Sequence, residues 1–306
     1  MRQPKLLAIL FILCVSADTT TGQSLKDSSS NKVKDVFIGP EKGYLVLGGT
    51  TWEDSFLLKV FVSLAGSKPH VLIIPTATIG DSESINENEA FFSDLKKAFT
   101  VAGAGSVSFL HTRDTAVANS PPFLSKLKEA NAVWFTGGDV RVLAEAYLNT
   151  KANEEFKNLL NRNGVIGGNS AGANAMGAYF IKPDTSTTEA VFQKNNSGFN
   201  FIKNCCVIPH LLANNRQFQY FDFKKGHNND LLGIGIDHEA FVVIHKNELE
   251  VRGSSYVAIY DGTFQSNGRK NSFDILPANS ERFYVLYSGA KYDLNKRRVI
   301  QFFRQQ

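Results

Sequence analysis

Cysteine is scarce in this chain: three residues in 306, at Cys14, Cys205 and Cys206. That excludes a disulfide-built scaffold and a cysteine-rich zinc domain. No charge of one sign dominates either. The 33 Lys and Arg oppose 29 Asp and Glu for a net +4, which falls to +2 without Arg2 and Lys5 near the N-terminus. So even a balance carries no polyanion footprint, and nucleic acid is not an expected partner. Long apolar runs are missing as well. The longest, Leu6 to Val15, is short of the roughly 18 to 20 residues that a membrane span requires. No two of the six histidines fall at metal-ligand spacing, so neither a metal nor a cofactor is expected.

What is present is an ordinary globular composition, 43% apolar and 20% charged, enough to bury a substantial core in one domain. The start reads as an export signal: a basic tip, the apolar run, and small residues Val15-Ser16-Ala17, suiting cleavage after Ala17 and a secreted product without a membrane anchor. Residues 18–36, with Thr19-Thr20-Thr21 and Ser28-Ser29-Ser30, read as a disordered lead-in to a domain over 37–306. Asn195-Asn196-Ser197 is the one glycosylation sequon.

From about Asp35, short β-branched runs alternate with helical periods. Strands are expected at Tyr44–Leu47, His70–Pro75, Ser106–Leu110, Ala132–Phe135 and Val165–Ile166. Helices are expected at Glu53–Ala65, Glu87–Ala102, Pro122–Ala130 and, broken near Thr150, Arg141–Leu160. This alternation predicts an α/β fold, a mostly parallel sheet with helices on both faces. After Leu232 the pattern is strands alone.

Ligands on parallel sheets sit beyond the carboxyl ends of the strands, and three turns there stand out. Gly168-Asn169-Ser170-Ala171-Gly172 is a G-x-S-x-G elbow between a strand and a helix of small residues expected to run through Ala178. Its serine would stand clear of the sheet, with the Ala171 amide aimed at any oxyanion that its attack creates. The turn Gly137-Gly138-Asp139 could supply a second oxyanion donor from Gly138. A serine hydroxyl needs a base to take its proton, and His210, after a strand-like run and Pro209, is the best placed of the six histidines. Adjacent Cys205 and Cys206 are read as two reduced, buried thiols rather than a strained ring disulfide.

These motifs come in a telling order: Gly43-Tyr44-Leu45-Val46-Leu47-Gly48-Gly49, Ile74-Pro75-Thr76-Ala77, Phe135-Thr136-Gly137-Gly138-Asp139, the elbow, Pro209-His210 and Leu232-Gly233-Ile234-Gly235-Ile236-Asp237. From about residue 42 to Leu294 the chain resembles the cyanophycinase and α-aspartyl dipeptidase (dipeptidase E) family of serine peptidases. The resemblance implies a three-layer sandwich like the class I glutamine amidotransferase (flavodoxin-like) fold. It also implies Ser170 as nucleophile, His210 as base, and the amides of Gly138 and Ala171 as oxyanion hole. Members cleave peptide or isopeptide bonds beside aspartate, so a small acidic peptide or amide is the expected substrate, with Asp139 and Arg216 beside it. They often pair subunits, which makes a homodimer an expectation of the resemblance alone.

The third triad member stays open between two acids. One branch of the family implies Asp184, fourteen residues after the serine. The other implies a carboxylate after Asp237, where this chain reads His238-Glu239, so either His238 fills the place or a one-residue shift brings in Glu239. Val140 stands where cyanophycinases carry glutamine, and Arg216 alone replaces several arginines, which argues against cyanophycin itself. The same departures motivate a competing reading, a non-catalytic secreted binding or matrix protein. An amidase or esterase would use the same acyl-transfer machinery.

Overall fold

Alternation of apolar side chains along short strands sets the layers. In Tyr44–Gly48, Leu45 and Leu47 face one core and Val46 the other; the same split separates Leu72 and Ile74 from Val71 and Ile73, and Val133 and Phe135 from Ala132 and Trp134. Strands that are apolar on both faces must be covered on both. The computed structural model describes residues 36–49, 55–79, 85–87, 89–183, 190–191, 196–227, 230–265, 273–275 and 280–302. The leader and nearly all of the lead-in, along with Asp184 and the sequon asparagine Asn195, lie outside the described residues.

These strands belong to a nine-stranded sheet. Its order is Arg298–Gln301, Lys291–Asp293, Glu248–Gly253, Ala240–His245, Tyr44–Gly48, Val165–Asn169, Ala132–Phe135, His70–Ile74 and Ser106–Phe109. The last five run parallel, and the first four add antiparallel joints. One face buries helices Ser55–Leu64 and Ala90–Val101 through Leu57, Phe61, Leu95 and Phe99. Trp134 sits among them edge-on to Phe61 and Phe99, contacts that contribute about 0.5–1.5 kcal/mol each beyond area burial.

The opposite face carries helices Val140–Tyr147 and Lys151–Asn161, broken at Thr150, whose hydroxyl caps the second by accepting from the Asn153 amide. Beside them packs a second sheet, in the order Tyr284–Leu286, Val257–Tyr260, Leu232–Ile236, Ile202–Pro209 and Gly177–Phe180. Its inner residues Cys205, Val207, Ile234 and Val257 join the large core, while Cys206, Ile208 and Ala258 face a smaller one under helix Gln219–Lys225. The two cysteines thus point to opposite faces of one strand, free and buried. Burial pushes the Cys205 thiol up to about 12.

The α/β sandwich is present, with two departures from expectation. The chain after the elbow does not stay helical through Ala178: the helix is one turn, Ala171–Asn174, and Gly177–Phe180 is a strand. The Asn174 side chain donates to the Ile181 carbonyl and accepts from the Ile181 amide, so it acts as a strand partner to the returning chain. The second departure is the second sheet itself, which the linear pattern does not separate from the first. Among the described residues no helix is long and apolar enough to cross a membrane.

Candidate active site

The strand Val165–Asn169 lies at the centre of the large sheet, buried at every position and flanked by parallel neighbours. Ser170 leaves its carboxyl end with φ +52° and ψ −118°, a conformation that costs a non-glycine residue on the order of 1–3 kcal/mol. The surroundings enforce it. The Ser170 amide donates to the Gly48 carbonyl and the Ser170 carbonyl accepts from Asn174. A Cβ on Gly172 would come 2.2 Å from the Phe135 carbonyl oxygen, and one on Gly168 would come 2.7 Å from Gly172. Only glycine lets the strand and helix close on the serine this tightly.

The turn after Ala132–Phe135 lies against it. A Cβ built on Gly137 would touch Ser170 Cβ at 3.1 Å. The Thr78 hydroxyl fixes the turn by donating to the Gly137 carbonyl at 2.6 Å, and the Asp139 amide donates to Ala77. Gly138 adopts φ +129° and is exposed. Among the described residues neither its amide nor that of Ala171 has an intramolecular acceptor. Asp139 is otherwise engaged: it caps helix Val140–Tyr147 by accepting from the Arg141 amide, and it pairs with the Arg141 guanidinium. That pairing holds its carboxyl below the usual range.

His210 ends the strand Ile202–Pro209 and also takes positive φ, +56°. Its Nε2 lies 2.7 Å from Ser170 Oγ. Its Nδ1 lies 2.6 Å from Nε2 of His238, the rings edge to face with centroids 4.8 Å apart. His238 is exposed and follows strand Leu232–Ile236, which runs beside the His210 strand in parallel register. Glu239 turns away, with φ +59°, and accepts from the Ser254 hydroxyl at 2.9 Å. The Nδ1 side of His210 therefore meets an imidazole, while Asp184 falls outside the described residues.

Two neighbours hold the histidine loop. The Asp237 carboxylate accepts from the Leu212 and Ala213 amides at 2.9 and 3.1 Å, and from the Ser255 hydroxyl at 3.0 Å. Burial raises that carboxyl, but these donors and the His238 amide together hold it below the usual range. The Arg216 guanidinium donates to the Pro209 carbonyl at 3.0 Å, and its amide to Leu211. Arg216 is thus tied to the strand that carries His210. Burial above all, then the charges of Arg216 and His238, lower the His210 imidazole to about 4 against the lesser opposing pull of Asp237. A neutral ring is the form that can accept a proton at pH 7.

Asp237 was legible only as part of a strand motif. Its task, stapling a loop twenty-five residues away, depends on the parallel pairing of Leu232–Ile236 with Ile202–Pro209.

The model of peptidase family S51 matches residues 45–252. The crystal structure of a peptidase from an acI-B1 actinobacterium is 25% identical, with a TM-score of 0.60, over 83% of this chain and 98% of its own. A candidate peptidase E protein from Listeria monocytogenes EGD-e shares the fold at 20% identity and a TM-score of 0.51, over 70% of this chain and all of its own. No curated protein matches the chain.

Proposed function

The chain belongs to peptidase family S51, a serine-type peptidase family, and on that premise we propose that Ser170 is the nucleophile and His210 the base of a secreted hydrolase. Its substrate is a small acidic peptide, isopeptide or amide, cut beside aspartate. The observation that carries this reading is the 2.7 Å contact between Ser170 Oγ and His210 Nε2 on a strained elbow.

The chemistry follows from the placement. Ser170 Oγ attacks the carbonyl carbon as its proton passes to His210 Nε2. The carbonyl oxygen gains negative charge opposite the amides of Gly138 and Ala171. Collapse expels the amine, which takes the proton from Nε2 and leaves an acyl-serine. Water then attacks the acyl carbon as its proton passes to Nε2, and collapse breaks the acyl–oxygen bond, frees the acid and returns that proton to Ser170 Oγ. Secretion is supported by the leader-like start of the sequence, and the acidic substrate by the family resemblance. Arg216 serves chiefly as a loop clamp, and an acidic substrate would meet its remaining N–H groups.

The test is intact mass after treatment with a small fluorophosphonate, which needs an activated serine and no particular substrate. A single adduct on the wild type, absent from Ser170→Ala and His210→Ala, is the expected result. No adduct on folded wild type would instead favour the non-catalytic binding protein, which Val140 and the single arginine already suggest.

A further inference from the structure

The partner of His210 Nδ1 is unusual enough to carry a conclusion of its own, which rests on the Ser170–His210 reading above. We propose that His238 is the positioning residue of this site: it fixes the tautomer of His210 and makes the base a pair of imidazoles that a single proton switches off.

For Ser170 Oγ to donate to His210 Nε2, that nitrogen must carry a lone pair. The neutral His210 ring then bears its hydrogen on Nδ1, where the acceptor within reach among the described residues is His238 Nε2 at 2.6 Å. His238 in turn bears its hydrogen on its own Nδ1.

Adding one proton to this pair leaves two placements. On His210 it occupies Nε2 directly. On His238 it occupies Nε2, which must then donate to His210 Nδ1, and the His210 hydrogen moves to its Nε2. Both placements protonate the nitrogen that should accept from Ser170. A proton on either ring therefore takes away the lone pair that faces Ser170.

The same contact serves turnover. Burial and the nearby guanidinium disfavour charge on His210. When Nε2 takes the serine proton, His210 can pass its Nδ1 hydrogen to His238, where the charge rests on an exposed ring that water solvates. No group is oxidised or reduced: as Nε2 gives the serine proton to the leaving amine, the shared hydrogen returns from His238 to His210 Nδ1. The charged groups around the pair are Arg216, bound to Pro209; Asp237, bound to the loop amides; and Glu239, bound to Ser254. None of them bonds either ring nitrogen at the shared contact.

The test reads the rate of fluorophosphonate labelling from pH 3 to 9 in the wild type, His238→Ala, His238→Gln and His238→Glu, with thermal midpoints to show that each variant is folded. His238→Ala should label on the order of 10²-fold more slowly at pH 8, since nothing holds the tautomer. His238→Gln offers an amide oxygen to the same hydrogen and should recover most of the rate, with its acidic limb moved to lower pH because a proton can no longer enter through position 238. His238→Glu should move the limb upward, because a carboxylate steadies the imidazolium. Acidic limbs that coincide in all four proteins, or a His238→Ala rate equal to wild type, would overturn the proposal while leaving Ser170 in place. A wild type that never labels would overturn both readings.

Discussion

At Gly138 the backbone alone decides what is tolerated. Its φ is +129°, and a Cβ would lie 1.9 Å from the Ala77 carbonyl oxygen, an atom held in place by the Asp139 amide. Gly138→Ala must therefore displace the turn that rests on Ser170. Strain of this kind costs on the order of 1–3 kcal/mol, and losing one oxyanion donor costs about 10²- to 10³-fold in rate. Gly66→Ala separates the two effects, because Gly66 also has positive φ, +101°, but open space around it. Labelling and hydrolysis should collapse in Gly138→Ala and stay normal in Gly66→Ala, although both lower the thermal midpoint. Equal activity in the two variants would remove the 137–138 turn from the site. Both glycines of the elbow, Gly168 and Gly172, could be anticipated from the motif; the contact of Gly137 with Ser170 could not, because it joins two strand ends paired side by side in the sheet.

Elements rather than residues hold His210 in place. Three acceptor bonds converge on Asp237 at the end of Leu232–Ile236 and fix the loop that follows His210. Asp237→Ala removes all three part-buried bonds, each contributing about 0.5–1.5 kcal/mol net because water can take the freed donors. Asp237→Asn keeps an oxygen for the Leu212 and Ala213 amides. The expected order of labelling rates is wild type, then Asn, then Ala, with the thermal midpoints in the same order. An alanine variant as fast as wild type would show that the loop holds itself. The sequence marks the strand by its Leu-Gly-Ile-Gly-Ile alternation and the parallel strands by their β-branched runs. It does not mark which neighbour each strand takes. Ala240–His245 pairs with Tyr44–Gly48 across almost two hundred residues, and such joints leave only an apolar pattern that several partners would satisfy. The one-turn helix after Ser170 is misread for a related reason: Ala and Gly are compatible with a longer helix, and it is Asn174, bonded to Ile181, that ends it.

Over the whole molecule, the buried base leaves a signature in stability against pH. The folded chain depresses the His210 imidazole from 6.5 to about 4, so between those values the unfolded chain binds a proton that the folded one refuses. Stability therefore rises with pH across this window. Its full contribution is present above pH 6.5 and is lost as pH falls toward 4. The carboxyls of Asp139 and Asp237, held below 3.8, act with the same sign lower down, their contribution disappearing as pH drops through their folded values. A thermal midpoint level from pH 8 to 6.5 should thus decline between 6.5 and 4 and steepen beneath it. His210→Gln carries no titrating ring, so its curve should run flatter than wild type in the upper window and parallel to it below pH 4. Two curves of equal slope from 6.5 to 4 would mean that His210 titrates as freely in the folded protein as in the unfolded chain, and the case for a ring kept neutral beside Ser170 would fall with it.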